Sequence, residues 1–518
     1  MRSALLLSLV STSIAFQFPF KVPFFQTQVD PREIIESVIS GPQKIAIVGA
    51  GAGGSSAAFW IAKAKERFGL DVQVDVYDKA SYVGGRSTTV YPHDDPSLSP
   101  VELGASIFVK ANRNMWRASE FFNLSLSAFE DEDTHMGLWD GEKLLLDIGD
   151  SWWDTAKVLW RYGITSPRRT QSIVDGMIKD FLGLYAYDTP RWDNITGLAT
   201  SLGWLDMVAN TASDYFQSRG VSAKYVNELV EAATRVNYGQ NVDKIHALEG
   251  ACSLAATGAS QVKGGNWQIF DHFLKYSNAT VYLNTPVTQI THKPSSSRPW
   301  VVHTDKGTTA YKAVILAAPL HQTGIDLPEA LVSQVPEQPY VHLHVTLLTT
   351  SSPHINPDYM SLPPSTKVPA MMLTTYDGVR NGGKAPEFNS VSYHNKVNES
   401  EWVVKIFSEE RVSDEWLQNV FSGQVSWVYR KEWDAYPKNP PTTTFPPVKL
   451  DNGFYYVNSF EPFISTMETE TISSRNAVEL LLNEEFKSSL CGPRISASGE
   501  TDKSKAKTDD DFVYGWDC

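Results

Sequence analysis

The pattern of apolar positions near the start of the chain predicts a strand, a helix and a second strand in direct succession. Ile45–Val48 is a continuous run of branched and small apolar residues, as in a strand that is buried on both faces. Apolar residues then recur at helical spacing over Ser55–Arg67, and Val72–Lys79 alternates apolar and polar residues as a strand does. These three segments predict a βαβ unit.

Further along, the pattern changes from mainly helical to mainly extended. Residues 111–240 are predicted to be helical, with amphipathic helices in SWWDTAKVLWRYGI and SIVDGMIKDFLGLYAY. Strands are predicted from Val281 onward, in TVYLNTPVTQITHK, WVVHTDKGTTAYKAVILAAPL, HLHVTLLTT and WVVKIFS. GFYYVNSF is predicted to be a strand and SSRNAVELLLNEEF a helix, and the polar residues 492–518 are predicted to be a disordered tail.

Length, charge and cysteine content narrow the class of protein. A chain of 518 residues is too long for one hydrophobic core, which favours two structural units. The net charge of -14 and the pI of about 5.3 argue against nucleic-acid binding, which needs a surplus of basic residues. The three cysteines have no metal-ligand spacing, so no metal site is expected, and Cys491 and Cys518 are the pair considered for a disulfide.

The first residues have the features of a secretory signal. Arg2 precedes the apolar stretch Ala4–Ala15, which is too short to span a bilayer and ends in small residues that a signal peptidase reads. We predict a signal peptide over residues 1–15, with an uncleaved anchor as the alternative. The expected location is the secretory pathway, a vacuole- or lysosome-like lumen, or the outside of the cell. Glycosylation sequons compatible with that route occur at Asn123, Asn194, Asn278 and Asn398.

A glycine-rich motif joins the first strand to the helix. Gly49, Gly51 and Gly54 form G-x-G-x-x-G, and the flanking strand and helix make the pattern meaningful. The first glycine permits a tight turn, the second lets a pyrophosphate approach the backbone, and the third lets helix and strand pack closely. Asp78 ends the second strand, where its carboxylate can accept hydrogen bonds from a ribose. The motif therefore predicts dinucleotide binding, with a turn serving only close packing as the alternative.

The segment after Asp78 favours FAD over NAD. Gly84, Gly85 and Arg86 lie where a second glycine pair can reach the cofactor and a guanidinium can meet the pyrophosphate, as in flavin oxidoreductases of the amine-oxidase type. The alternative for Arg86 is a surface salt bridge.

Three later segments resemble cofactor-contacting strands of the same flavoproteins. VELGASIF, with Gly104, Ala105 and Ser106, resembles the strand and turn beside the isoalloxazine ring. NTPVTQI, with Val287, resembles the strand whose backbone meets the adenine, and AVILAAPL resembles the strand that returns to the cofactor domain. Met467 and Glu468 are further candidates for contact with the cofactor.

The segment RVNYGQNVDKIHALEGACSLAATGASQVKGGN narrows the resemblance to the prenylcysteine oxidase (prenylcysteine lyase) family. The chain is similar to this family over residues 44–488, although Phe460, Pro462 and Phe463 stand where the family tends to have small residues and a glycine. That departure leaves the substrate open. The matching elements are V-N-Y-G-Q at Val236–Gln240, A-x-x-G-x-x-S-L-A at Ala247–Ala255, G-G-N at Gly264–Asn266, WVVKIFSEE from Trp402, WDAYP from Trp433 and MET…SSRNA at Met467–Ala477.

The resemblance implies an FAD-dependent thioether oxidase. It would cleave farnesyl- or geranylgeranyl-cysteine with O₂ and water into a prenyl aldehyde, cysteine and hydrogen peroxide, by hydride transfer to flavin N5. The aromatic helices within residues 111–240 are the expected wall for the isoprenoid. No segment after the signal is apolar and long enough to cross a membrane, so only peripheral membrane contact is expected.

The same resemblance implies a fold of the α/β class. A doubly wound, Rossmann-like FAD-binding domain of the amine-oxidase type would be interleaved with an α+β substrate domain. The expected FAD-binding segments are residues 43–110, 240–322 and 445–490. The expected substrate-binding segments are residues 111–239 and 323–444.

No catalytic acid or base follows from the sequence, and the candidates have structural alternatives. His342 and His344 alternate on one face of a predicted strand, Asn237 and Tyr238 are candidates for the substrate wall, and Glu468 is a candidate for the ribityl chain or a substrate ammonium group. Two other functions stay open. One is a flavin oxidase of amines or of a secondary metabolite, and the other is a flavin-bound lipid-binding protein without catalysis.

Overall fold

The computed structural model describes residues 41–128, 135–149, 151–492 and 511–518. The predicted signal peptide, residues 1–15, lies outside the described residues. The strands, in chain order, are β1 Gln43–Val48, β2 Val72–Tyr77, β3 Thr89–Val90, β4 Val101–Glu102, β5 Leu126–Ala128, β6 Met136–Trp139, β7 Leu144–Ile148, β8 Ser260–Val262, β9 Thr280–Tyr282, β10 Val287–His292, β11 Trp300–Thr304, β12 Gly307–Tyr311, β13 Ala313–Leu316, β14 Tyr340–Thr350, β15 Met371–Thr374, β16 Ser390–Asn398, β17 Glu401–Ser408, β18 Val425–Pro437, β19 Lys449–Asp451 and β20 Phe454–Tyr456.

Helices dominate the part of the chain between β7 and β8, as the apolar periodicity predicts. The helices are α1 Ala52–Phe68, α2 Arg113–Phe121, α3 Trp152–Tyr162, α4 Thr165–Leu182, α5 Ile195–Ser201, α6 Leu205–Ala209, α7 Ala212–Ser218, α8 Ala223–Tyr225, α9 Glu231–Tyr238, α10 Ala247–Leu254, α11 Trp267–Ser277, α12 Glu329–Val332, α13 Asp377–Arg380, α14 Asp414–Val420 and α15 Met467–Phe486. Within the described ranges, none of these helices has the length and apolar character needed to span a bilayer.

The predicted βαβ unit forms the centre of a six-stranded sheet. Its strand order is β19-β20-β13-β1-β2-β9, and β1 pairs in parallel with both β2 and β13. Ile45 and Ile47 pack on the side of α1, α11 and α15, whereas Ala46 and Val48 pack on the side of the sheet β10-β11-β12. Both faces of β1 are therefore covered, which is why its sequence is apolar at every position rather than alternating.

A second, seven-stranded sheet has the order β18-β14-β17-β16-β15-β6-β7. Its neighbouring strands are antiparallel except for β15 and β6, which are parallel. The strands of the two large sheets fall within the two sets of residue ranges expected for the FAD-binding and substrate-binding domains. Gln43–Cys518 nevertheless pack as one compact unit, so that division stays a prediction. The α/β class with a doubly wound sheet and an interleaved α+β part is confirmed.

Two predictions about the end of the chain are wrong. The strand predicted over GFYYVNSF ends at Tyr456, because residues 457–460 turn into a 3₁₀-helix that leads back toward the cofactor-binding turn. Residues 511–518, predicted to be part of a disordered tail, are ordered and packed against the body. Cys518 forms a disulfide with Cys491, which is the pair considered from the sequence.

Aromatic packing and main-chain hydrogen bonds fix this terminal segment. The Trp516 ring lies 4.9 Å from the Phe59 ring and 5.6 Å from the Trp60 ring, measured between centroids. Its indole Nε1 donates to Asn114 at 3.1 Å. Arg67 on α1 donates to the carbonyl of Gly515 at 2.8 Å. The sequence pattern missed this because a few scattered aromatic residues in a polar stretch have no periodicity.

Replacing Trp516 tests whether the terminal segment stabilises the fold. Trp516→Ala should lower the free energy of unfolding by about 2–3 kcal/mol, less than for a fully buried tryptophan, because one side of the ring stays open to solvent. Denaturant titration of the full chain measures this. Trp153→Ala, on an exposed helix face, is the matched control and should change stability by less than about 0.5 kcal/mol. Equal losses in both variants would contradict the proposed packing role.

Candidate active site

The glycine-rich turn between β1 and α1 has the geometry that its three glycines predict. Gly49 has a φ of +110°, and a side chain there would overlap the carbonyl oxygen of Ala317. A Cβ at Gly54 would overlap the carbonyl oxygen of Gly49, so the third glycine is required for close packing of helix on strand. A Cβ at Gly51 would make only ordinary van der Waals contacts with the backbone of Gly84 and Gly85, at 3.7–3.9 Å. The protein itself therefore tolerates a side chain at Gly51, and the space beyond it is open to a ligand.

Asp78 ties the end of β2 to this turn. Its Oδ2 accepts a hydrogen bond from the backbone N–H of Ala50 at 2.7 Å, and its Oδ1 accepts one from that of Ala80 at 2.7 Å. The carboxylate thus fixes the turn and still lines the cavity beside it. The role expected from the sequence, accepting hydrogen bonds from a ribose, stays a prediction.

A continuous cavity of about 920 Å³ begins at the glycine turn and runs between the two large sheets. This volume lies near the upper end of the range for small-molecule and cofactor sites. The sequence-predicted residues that line it are Gly49, Gly51, Asp78, Gly85, Arg86, Gly104, Ala105, Ser106, Asn237, Tyr238, Val287, Met467 and Glu468. Gly54 lies behind the turn, as its packing role requires.

The end of the cavity away from the glycine turn has apolar and aromatic walls. Met177, Ile178 and Phe181 of α4 form one side, and Phe407 and Trp433 of the seven-stranded sheet form another. The expectation that helices within residues 111–240 supply an apolar wall is therefore met by α4.

Asn237 and Tyr238 lie at the end of α9, on the same wall. The Asn237 amide donates to the carbonyl of Ser253 at 3.1 Å, and the Tyr238 side chain is buried. Burial raises the pKa of Tyr238 well above its usual value, so its hydroxyl stays protonated. Both residues are placed where a substrate wall was expected, and neither is a free acid or base.

Arg86 differs from its expected arrangement. Its guanidinium forms an ion pair with Glu461 and donates to the carbonyl of Ala435 at 3.0 Å. Tyr340 also donates to Glu461. Two of the five N–H donors of Arg86 are therefore used by acceptors of the protein. The ion pair is not a surface salt bridge, because the Glu461 side chain is buried. Contact with a pyrophosphate would use the remaining donors, because the side chain still lines the cavity.

Glu468 has a different role from the expected one. Its two carboxylate oxygens accept hydrogen bonds from the backbone N–H groups of Asn114 and Met115, both at 2.9 Å, and one also accepts from Tyr185 at 2.6 Å. The side chain therefore caps the start of α2 and is not free for a ribityl chain or an ammonium group. Burial raises its pKa to about 7, and the hydrogen bonds partly offset this.

His342 and His344 are not in the cavity. They lie on one face of β14, as the alternation predicts, beside the neighbouring strand β18 of the same sheet. His342 Nδ1 lies 3.1 Å from Asp434, and His344 Nδ1 lies 3.5 Å from Glu432. Their catalytic candidacy stays a prediction: neither lines the cavity, although His342 lies against Asp434, which does. The three potential ligand atoms of His342, His344 and Glu432 lie within 4.8 Å of one another, a grouping that the sequence spacing did not reveal.

Lys405 is the cavity residue that sequence reasoning missed. It lies on β17 within the quoted WVVKIFSEE segment and is buried. Its ammonium group donates to the carbonyl of Glu102 at 3.1 Å and to the hydroxyl of Ser106 at 3.0 Å, and one further N–H remains. Burial lowers the pKa of Lys405 to about 8, and the charge of Glu102 partly offsets this. The sequence did contain a sign of this residue, because Lys405 is a lysine in an otherwise mainly apolar predicted strand, WVVKIFS.

Glu102 completes a buried polar cluster around Lys405. Its Oε1 accepts a hydrogen bond from the backbone N–H of Asn266 at 2.6 Å, and burial raises its pKa to about 7. A small cavity of about 20 Å³ lies between Glu102, Ser106, His394 and Lys405. Its volume and polar walls suit one water molecule. The cluster brings a titratable amine and a water-sized space to the middle of the large cavity.

Phe460 and Phe463, which depart from the family pattern, belong to the core. Both are fully buried, and their rings lie 5.1 Å apart. Phe460 also packs against Trp192, and Phe463 against Trp204. Neither lines the cavity, so the departure does not change the walls that a substrate would meet.

Comparison with known sequences places the chain among relatives of similar length. Residues 146–490 match the prenylcysteine lyase family model, and residues 47–122 match the model of an NAD(P)-binding Rossmann-like domain. The farnesylcysteine lyase of Arabidopsis thaliana is 30% identical over 464 residues, covering 85% of this chain and 88% of that protein. The human prenylcysteine oxidase 1 is 28% identical over 461 residues, with the same shares covered.

Solved structures share the fold at much lower identity. Putrescine oxidase bound to putrescine superposes with a TM-score of 0.55 at 14% identity, covering 85% of this chain and 99% of that structure. A double mutant of putrescine oxidase gives a TM-score of 0.56 at 15% identity, with the same coverage. The fold is therefore that of the amine-oxidase type. With the family match over residues 146–490 and a relative at 30% identity, the chain belongs to the prenylcysteine lyase family.

Proposed function

We propose that the chain is an FAD-dependent oxidase that cleaves the thioether of prenylcysteines. The substrate, O₂ and water would give a prenyl aldehyde, cysteine and hydrogen peroxide. The observation that carries the proposal is the continuous cavity, which joins a dinucleotide-binding turn to an apolar wall on α4. The family relationship supports the choice of substrate, since relatives are named farnesylcysteine lyase and prenylcysteine oxidase.

The residues around the glycine turn fit FAD. Helix α1 begins without a side-chain cap and without an acidic residue in its first turn, so its N–H groups are available to a diphosphate. The open space beside Gly51 gives that diphosphate room. Asp78 would hold the ribose, Val287 would lie beside the adenine, and Gly104–Ser106 would lie along the ring. When bound, FAD would supply the acceptor for the hydride that leaves the substrate and would pass its electrons to O₂.

The apolar wall suits the isoprenoid chain of the substrate. Each CH₂-sized group transferred from water to such a wall contributes about 0.8 kcal/mol, so the chain itself supplies binding energy. Loss of a hydride from the carbon next to sulfur is favoured because sulfur and the allyl group stabilise the resulting cation. Water adds to this carbon, and the hemithioacetal collapses to the aldehyde and the cysteine thiol. The protein has to hold the substrate and deliver one water molecule.

Lys405 is suited to deliver that water. The water-sized cavity touches its amine, and Ser106 joins the same cavity to the segment expected beside the flavin ring. In its neutral form the amine of Lys405 accepts the proton that water loses as it adds to carbon. Glu102 lies behind it and balances the charge that results.

The amine-oxidase alternative is less consistent with the cavity. Its acidic lining residues are Asp78, Asp434, Glu468 and Glu470. Asp78 lies at the cofactor end, where it would hold the ribose, and the oxygens of Glu468 accept from backbone N–H groups and a tyrosine. Asp434 pairs with a histidine, and burial raises the pKa of Glu470 well above its usual value, which favours its neutral form. An ammonium group in the middle of the cavity would instead meet Lys405, a like charge.

A peroxide-coupled assay tests the function. The purified protein should contain FAD and release one hydrogen peroxide and one prenyl aldehyde for each farnesylcysteine consumed. S-hexylcysteine, a thioether without the allylic double bond, should react at least tenfold more slowly, because its cation is less stabilised. Putrescine and benzylamine should give no peroxide. Peroxide release with amines and not with prenyl thioethers would refute the thioether-oxidase hypothesis. A protein that contains flavin but is inactive on every prenyl thioether would favour the non-catalytic lipid-binding alternative.

Gly51→Val tests the position of the cofactor. The valine Cβ fits the protein, but its methyl groups would occupy the space of the diphosphate, so the flavin content should fall below about one tenth of wild type. Absorbance at the flavin band measures the content, and circular dichroism verifies the fold. Gly176→Val, at an open position on α4, is the matched control and should keep its flavin. A Gly51→Val protein with full flavin content would contradict the assignment.

Lys405→Met tests the delivery of water. Wild-type kcat should rise as the pH passes through about 8, because the neutral amine is the active form and its pKa lies there. The variant should lose this limb of the pH profile and about 100-fold in kcat while keeping its FAD, as for loss of a general base. Lys405→Arg retains the charge and should be equally slow. Lys396→Met, on the exposed part of β16, is the control and should keep wild-type activity. Wild-type kcat in Lys405→Arg would contradict the role as a base, because it would show that only the positive charge is needed.

A further inference from the structure

Helix α3 presents apolar side chains to solvent. Trp152, Trp153 and Trp160 are 65%, 63% and 92% exposed, Leu159 is 41% exposed, and Ile164, just after the helix, is 51% exposed. At 100° per residue, the four helical positions and Ile164 fall within one continuous stripe. We call this outward stripe the tryptophan face; it consists of Trp152, Trp153, Leu159, Trp160 and Ile164.

The opposite side of α3 is anchored to the protein by polar contacts. Arg161 donates twice to the carboxylate of Glu228, at 2.6 and 2.8 Å, and Tyr162 donates to the same carboxylate at 2.6 Å. Asp154 is buried at the start of the helix, where it completes a capping box with Ser151. A surface helix normally turns its apolar stripe inward. Here the anchoring contacts hold the stripe outward, so the exposed tryptophans are part of the fold.

The charge around the tryptophan face differs from that of the whole chain. Residues 151–169 contain four basic residues and one acidic residue, in a chain with a net charge of -14. Lys157 and Arg161 are paired with Asp154 and Glu228, which leaves the exposed Arg168 and Arg169, at the start of α4, as the basic flank. An apolar stripe with tryptophans and a basic flank is the composition of helices that lie in the interface of anionic lipid bilayers.

The tryptophan face and the apolar wall of the cavity lie on consecutive helices. Helix α4 follows α3 after two residues, Gly163 and Ile164, and carries Met177, Ile178 and Phe181 on the cavity wall. Of these two consecutive helices, one exposes an apolar stripe and the other lines the cavity.

We propose that the tryptophan face docks the protein on an anionic lipid bilayer, with α3 lying in the plane of the headgroups. Binding would bury the three tryptophans among the headgroups and acyl chains and bring the basic flank to the lipid phosphates. The docking does not depend on the proposed enzymatic activity. One consequence does rest on that activity: the prenyl chain would pass from the bilayer to the cavity along α4.

Co-sedimentation of the full protein with vesicles, without substrate, tests the docking. Wild type should sediment with phosphatidylcholine vesicles that contain phosphatidylserine, and more weakly with phosphatidylcholine alone or at high salt. The triple variant Trp152→Ala, Trp153→Ala, Trp160→Ala should bind at least tenfold more weakly. The matched control is Tyr91→Ala, Leu205→Ala, Val379→Ala, which removes three exposed apolar side chains elsewhere and should bind within twofold of wild type.

Three results would overturn the proposal. The first is wild type that stays in the supernatant with both vesicle types, and the second is a triple variant of native circular dichroism that binds as wild type does. The third is a wild type that does not bind vesicles and forms a dimer in sedimentation velocity, when the triple variant is a monomer. That result would show that the tryptophan face binds a second copy of the chain. If the docking holds but farnesylcysteine is not oxidised in any form, only the proposed function fails. If the prenyl chain passes from the bilayer to the cavity, the triple variant should turn over vesicle-embedded farnesylcysteine more slowly than wild type. Its turnover of farnesylcysteine in micelles should be normal.

Discussion

The structure depends on the close approach of helix α1 to strand β1 at the glycine turn. The Cα of Gly54 comes so near the carbonyl of Gly49 that no side chain fits between them. This contact sets where α1 begins and aims its uncapped N–H groups at the cavity. Because β1 is the centre of the doubly wound sheet, any change in this contact would displace the cavity from its cofactor-binding end.

From that turn, the cavity passes between two sheets of different character. The parallel sheet brings backbone and glycine to the cavity, which suits a diphosphate, whereas the antiparallel sheet and α4 bring side chains, which suits a hydrophobic substrate. Lys405 and Glu102 lie where the two meet. Their burial moves both pKa values toward 7. Burying a charged amine costs free energy, but the lowered pKa lets the Lys405 amine accept a proton near neutral pH. The apolar wall on α4 and the exposed stripe on α3 lie on consecutive helices of the chain.

Local pattern and motif resemblance were enough for the central unit, and most of the predicted site residues line the cavity. The order and type of β1, α1 and β2, with bounds within three residues of those observed, and the roles of Gly49 and Gly54 follow from residue types and their spacing. The disulfide between Cys491 and Cys518 is the pair considered from the sequence, and only the structure shows it formed. Other assignments needed the partner of a side chain. The carboxylate of Glu468 is used by the backbone of α2, and the imidazole of His342 lies against Asp434.

The sequence by itself determined the βαβ unit and the place of the glycine turn, because short-range periodicity and glycine geometry are properties of neighbouring residues. The resemblance to a family rested on the order of several motifs along the chain. The tertiary structure decided which polar groups are buried and what they meet. Lys405 comes near Ser106 across about three hundred residues, and Trp516 reaches α1 from the end of the chain. Such contacts depend on how elements pack, and neither burial nor a pKa can be read from a stretch of sequence that does not contain the neighbour.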